Sequence, residues 1–152
     1  MAGKRAKVRP AEARTGNQLD NWKKGEEKMR FMMLVKHKEG QGNPPKELME
    51  AIGKLAEEAV KSGKLVASGG LAPTTMSTHV RVTKGQVNTI DGPFAEAKEV
   101  VGGFAIFEHE SKQEALDGAL NFMELHKKHW PGWEGETEVR QIFGPEDMPP
   151  LH

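Results

Sequence analysis

The order in which apolar positions recur along the chain predicts its elements. Phe31–Val35 reads FMMLV, apolar at every position, so a strand here carries large side chains on both faces of its sheet. Pro45 then stands at a helix start, and Leu48, Ile52, Leu55 and Ala59 follow at spacings of four, three and four. With Glu47, Glu50, Lys54, Glu57, Glu58 and Lys61 on the other side, this is an amphipathic helix that Gly63 is placed to end. Leu65–Leu71 predicts a second strand, which Gly69 and Gly70 interrupt with a bulge or a close approach of other atoms. His79–Thr83 and Gln86–Ile90 flank Lys84-Gly85, the composition of a tight hairpin. Val101–Phe107, reading VGGFAIF, repeats the doubly apolar pattern. Ser111 and Glu114 form a capping box that opens a second helix, whose stripe is Leu116, Ala119, Leu120 and Met123. The run WPGWEG at 130–135 breaks that helix, and Thr137–Phe143 alternates as a last strand.

Two β-α-β units separated by a hairpin predict an α+β fold, a ferredoxin-like sandwich with an additional β-hairpin and both helices on one sheet face. The other face would stay uncovered, yet the first strand and the Val101 strand are apolar on both sides. A symmetric contact with a second copy would bury it, so the pattern predicts a homodimer.

At 152 residues the chain has room for one domain of ordinary size, and no apolar run approaches the roughly 18 residues of a membrane span. Lys and Arg match Asp and Glu at 22 each, but unevenly. Residues 1–28 hold eight basic and four acidic residues, a formal charge of +4, against 14 and 18 in the remainder. The expected organisation is a flexible basic N-terminal extension over 1–28, a domain over 29–144 and a C-terminal tail over 145–152. The extension lacks a signal-peptide apolar stretch, and the chain lacks cysteine, which fits a cytoplasmic protein without disulfides or thiolate metal sites. Neutral bulk charge gives no ground for nucleic-acid binding beyond weak contact through the extension. Walker, GxGxxG and GxSxG motifs are absent, so no cofactor is expected. His126 and His129 sit at i, i+3 without an evident third ligand, so no metal site is expected either.

Chemistry concentrates in Asp91–Glu99, reading DGPFAEAKE. Asp91 can accept hydrogen bonds from nearby backbone amides, Gly92 tolerates positive φ, and Pro93 fixes its own φ and keeps Gly92 out of the helical region. Such a turn aims Phe94 and sets Glu96, Lys98 and Glu99 at the mouth of the sheet, where a lysine among carboxylates could tune their pKa values for proton transfer. Asp91 or Glu96 is the candidate base, with His37, at the end of the first strand, as a further catalytic candidate. Arg81 and Arg140 alternate with apolar neighbours on strands, so each either pairs with a carboxylate or clamps a ligand. Arg81, Phe94, Lys98 and Arg140 are thus the candidate ligand-binding residues. Trp130 and Trp133 either line a pocket or anchor the loop around Pro131.

DGPFAEAKE, preceded by VRVTKGQVNTI and followed by VVGGFAIFE, resembles the motif that names the DGPF branch of the YCII-related superfamily. MRFMMLVKHKEG and EGETEVRQIFG resemble the opening and closing segments of that branch, extending the likeness over Met29–Gly144. The resemblance implies a dimeric α/β barrel of ferredoxin-like subunits. Some members occur beside or fused to extracytoplasmic-function sigma factors, which implies a sigma-factor association as one kind of partnership. The YCII branch carries a His and Asp pair on and just after the first helix, but Pro45–Lys64 contains neither residue, so that pair is not carried over. Two functions follow as expectations: binding of a small polar or anionic molecule in a cleft beside the DGPF turn, with acid/base catalysis as a further step, or a non-catalytic regulatory or interaction module.

Overall fold

The computed structural model describes residues 28–94 and 98–147. Among the described residues it is a mixed α+β structure with antiparallel sheets and two helices, and the main sheet does not close on itself. In chain order the elements are β1 (Met29–His37), α1 (Lys46–Lys61), β2 (Leu65–Gly70), β3 (Thr78–Thr83), β4 (Gln86–Asp91), β5 (Val100–His109), α2 (Lys112–His129) and β6 (Gly135–Ile142). Short 3-10 turns occupy Thr74–Met76 and Pro145–Asp147. The predicted extension over 1–28 lies outside the described residues except for Lys28, and so does most of the predicted tail.

The sheet runs β2-β5-β1-β6, with every neighbouring pair antiparallel. The two doubly apolar segments are its central strands, since a middle strand has a neighbour on each edge and atoms over both faces. Phe31 pairs with Phe107 and Met33 with Ala105 on the helix-bearing face. The core lies there: Phe31, Met33, Leu48, Ala115 and Ala119 are buried. Met32, Leu34 and Ile106 point to the opposite face and are half-buried in the single chain.

Ser111 caps α2 by accepting from the Glu114 amide at 3.1 Å, while the Glu114 carboxylate accepts from the Glu110 amide at 2.9 Å. The Ser111 half of the capping box therefore forms, while the carboxylate half reaches one residue further back, to the Glu110 amide instead of that of Ser111. The stripe that α2 buries is turned from the expected one: Ala115, Ala119 and His126 face inward, and Leu120 is exposed. Two alanines let the helix lie close to the sheet, which bulkier leucines would prevent. In β2 the irregularity falls between Leu65 and Ala67, whereas Gly69 and Gly70 keep register with Phe104 and Gly103. Gly69 instead makes room for an aromatic ring, because a Cβ there would stand 3.2 Å from Phe104.

The hairpin forms a separate two-stranded sheet, turned by Lys84 at φ 53° and Gly85 at φ 77°. Positive φ at both central residues matches the right-handed twist of the strands it joins.

Candidate functional site

The segment after β4 is held by short-range contacts to the residues that precede β3. Asp91 ends β4 opposite Thr78, whose hydroxyl donates to Asp91 Oδ1 at 2.8 Å. The Gly92 amide donates to the Ser77 carbonyl at 2.8 Å. A Cβ on Gly92 would collide with the Thr74 carbonyl oxygen, so this position requires glycine for close approach of two backbones. The Gly92-Pro93 peptide bond is cis. Phe94 then stacks on His79 of β3, with ring centroids 3.6 Å apart and planes 8° from parallel.

Thr74 connects this turn to the end of β1. Its amide donates to Glu39 Oε2 at 2.8 Å and its hydroxyl to Glu39 Oε1 at 2.6 Å. The two bonds hold the Glu39 carboxyl below its ordinary pKa, the hydroxyl contributing most. A chain of contacts thus runs from Glu39 through Thr74 and Ser77 to Gly92. On the same loop Gln41 donates to the carbonyls of Lys38 and Glu134 and accepts from the Glu134 amide, which fastens it to the segment ahead of β6.

These loops wall a pocket of about 460 Å³ lined by His37, Glu39, Asn43, Pro73, Thr75 and Trp130, among others. His37 Nδ1 lies 2.9 Å from the Lys38 carbonyl oxygen. A carbonyl can only accept, so Nδ1 carries a proton, and in the neutral ring Nε2 is then the nitrogen with the lone pair. His37 packs over Gly102, where a Cβ would strike its ring. Neither Lys nor Arg lines the pocket among the described residues.

The sequence candidates are thus dispersed. His37 is in the pocket. Asp91 and Phe94 lie together at the base of the hairpin, and Arg81 is exposed on β3 two residues beyond His79. Lys98 is exposed on the bend before β5. Arg140 lies on β6, at the far edge of the sheet from β2, and pairs with Glu138, which also accepts from Lys36 at 2.7 Å. Glu96 lies outside the described residues. Glu39, Thr74 and Gln41 escaped sequence reasoning. The only hint in the sequence is the polar cluster KHKEGQGN directly after an apolar strand.

His126 and the tryptophans form a further cluster. His126 is buried, its Nδ1 lies 3.0 Å from the Phe122 carbonyl, and its ring sits 4.6 Å from Trp133, which in turn stacks on Trp130. Burial pushes the His126 pKa down.

Among known proteins, the profile of the YCII-related domain matches residues 29–121. An uncharacterised protein of Rhizobium meliloti (strain 1021) is 32% identical over 104 residues, covering 67% of this chain and 80% of that protein.

Proposed function

The chain belongs to the YCII-related family, and on that premise we propose that it binds a small polar molecule in the His37 pocket, with His37 as the group that exchanges a proton. One observation carries this reading. The contacts from Glu39 through Thr74 to Gly92 tie the most distinctive segment of the sequence to the wall of a pocket that contains a candidate base. Of the polar and anionic ligands the sequence admits, the polar one is favoured, because Glu39 is ionised and no cationic side chain lines the pocket among the described residues. Glu39 and Asp91 are positioning residues, since their oxygens hold Thr74 and Thr78.

The same reading takes the chain as a member of the DGPF branch and as a cytoplasmic homodimer. Its ferredoxin-like subunits pair through the helix-free face into a dimeric barrel. Met32, Leu34 and Ile106 on that face, bordered by Arg30–Glu108 and Lys36–Glu138–Arg140 ion pairs, support the pairing. Among the described residues no helix is long and apolar enough to cross a membrane.

Thermal-shift titration with polyols, amides and sugars tests the pocket, with phosphate and acetate as the anionic comparison. A neutral polar compound is expected to raise the melting midpoint, and His37→Asn to weaken it by about fivefold or more, the loss of one hydrogen bond. Asp91→Asn, which keeps an acceptor oxygen, should leave binding intact. Equal affinity in wild type and His37→Asn would remove the pocket assignment.

A second reading, a non-catalytic interaction module of the kind that accompanies sigma factors, is favoured by the exposed Val80, Val82 and Val87 of the hairpin. Recovery of a stable protein partner that is lost in Val80→Ser/Val82→Ser would favour it.

A further inference from the structure

Every residue of β3 and β4 is exposed, yet the hairpin they form has a distinct apolar face. Val80 stands opposite Thr89 and Val82 opposite Val87, so alternation puts these four β-branched residues on one side. His79, Arg81, Asn88 and Ile90 share the other. Among the described residues the chain covers only that second side, where Phe94 stacks on His79. Ile90 is accordingly 38% exposed, whereas Val80, Val82 and Val87 are 69%, 72% and 68% exposed. Alternation of this kind marks a ribbon with one face made for burial. A two-stranded ribbon is at best marginally stable by itself in water and needs a third strand or a packed apolar face. Neither strand pairs with the main sheet among the described residues.

Exposed apolar residues also extend the helix-free side of the sheet to the root of the hairpin. Val101 lies opposite Lys36, whose side chain reaches Glu138 across from Leu34. Val101 therefore shares the face of Leu34, at the end of β5 next to the hairpin. Leu71, which leads from β2 toward the hairpin, bonds through its amide to the neighbouring Gly102 carbonyl. Leu71 and Val101 are both exposed.

We propose that the hairpin is an arm that lays its Val80, Val82 and Val87 face on a second copy of this chain, beyond the contact between helix-free faces. The inference rests on the homodimer reading and adds a separate contact to it. Cover that the ribbon needs to hold its strands has to be present whenever the chain folds, and an identical chain is. Two-fold pairing through the adjoining face supplies each of two arms with an opposite subunit, so both ribbons are covered by one closed arrangement. Between Val80 and Thr89 the only charged residues are Arg81, on the opposite side, and Lys84, in the turn. Covering the valines thus desolvates no charge.

Sedimentation equilibrium of the full chain and of Val80→Thr/Val82→Thr/Val87→Thr tests this. Threonine keeps the branched shape and the strand preference, while its hydroxyl opposes burial. The expected result is a wild-type dimer whose dissociation constant rises about hundredfold or more in the valine variant and is unchanged in Asn88→Thr, on the opposite side. A dimer mixed from carbon-13-labelled and unlabelled wild-type copies gives a second readout that needs no substitution. Its Val80, Val82 and Val87 methyls are expected to show nuclear Overhauser contacts to the unlabelled copy. Leu34→Glu separates the arm from the sheet contact. Dimers lost in Leu34→Glu but unchanged in the valine variant remove the arm and keep the sheet pairing, and the converse keeps the arm and removes the sheet pairing. A monomeric wild type overturns the proposal, as does a wild-type dimer without contacts from these methyls to the other copy, which leaves the valine face to a different protein.

Discussion

Gly92 shows how much one missing side chain can decide. The backbone of the DGPF turn approaches the Thr74 carbonyl so closely that even a methyl group has no place, and the atom it would meet is backbone and cannot rotate away. Gly92→Ala is therefore expected to cost about 1–3 kcal/mol, the range for forced overpacking, read as a lower urea midpoint. Thr78→Val removes only an exposed hydrogen bond to Asp91 and should cost under about 1 kcal/mol. A Gly92→Ala variant as stable as wild type would mean that the turn is not held against Thr74. At the same scale, Asp91 was legible as an acceptor, but it ends β4 and takes the Thr78 hydroxyl rather than the nearby backbone amides of a turn, a partner out of reach of sequence reasoning because thirteen positions and a whole hairpin separate the two.

At the scale of elements, α2 combines a local signal with a long-range one. Its cap is written in four consecutive residues, Ser111 to Glu114, and the Ser111 hydroxyl accepts as written, while the Glu114 carboxylate takes the amide of Glu110 rather than that of Ser111. The Glu114 carboxyl is held down to about 2, chiefly by Lys64 from beyond α1 and then by the Glu110 amide. A depressed carboxylate stabilises the fold above its ordinary value of 4.5 and loses that contribution as pH falls toward 2. His126, at the other end of the same helix, has its pKa lowered by burial. Its unfolded imidazole takes up a proton near 6.5 that the folded one resists, so stability falls as pH drops below that value. Urea midpoints measured from pH 8 to pH 3 should decline first below about 6.5 and again below about 4.5. His126→Phe should flatten the first decline and Glu114→Gln the second. Solvent exposure of the Glu114 side chain, 35%, makes its step the more salt-sensitive of the two.

For the whole molecule, the uncovered side of the sheet is the dominant feature. A four-stranded sheet with helices on one face leaves Met32, Leu34 and Ile106 half-exposed in a single chain. Native mass spectrometry of the full chain and of a chain beginning at Met29 should give dimers in both cases, with Leu34→Glu yielding monomers. A monomeric wild type would show that this face is tolerated in water and would remove the barrel pairing. A dimer lost only on deleting residues 1–28 would assign the contact to that segment instead.

The sequence by itself determined the element order, the hairpin turn, the Ser111 cap of α2 and the apolar character of both faces of the two strands that prove central. Each depends on periodicities of two or 3.6 residues, or on turn chemistry spanning a few positions. Which face of α2 turns inward was legible only in part: Ala119 and Met123 of the expected stripe face the sheet, but Ala115 is buried ahead of Leu116 and Leu120 is exposed, because closeness of packing chose the smaller residue. Only the tertiary structure joined Glu39 to Thr74 across 35 residues, put His37 beside that clasp, separated Arg140 from the DGPF turn and opened a hollow beneath α1, over Ser68, Gly70, Gly103 and Ala105. The reason is physical. Local patterns specify which way a side chain points, but a pocket is the space left where distant segments meet, and that space depends on how the assembled elements pack.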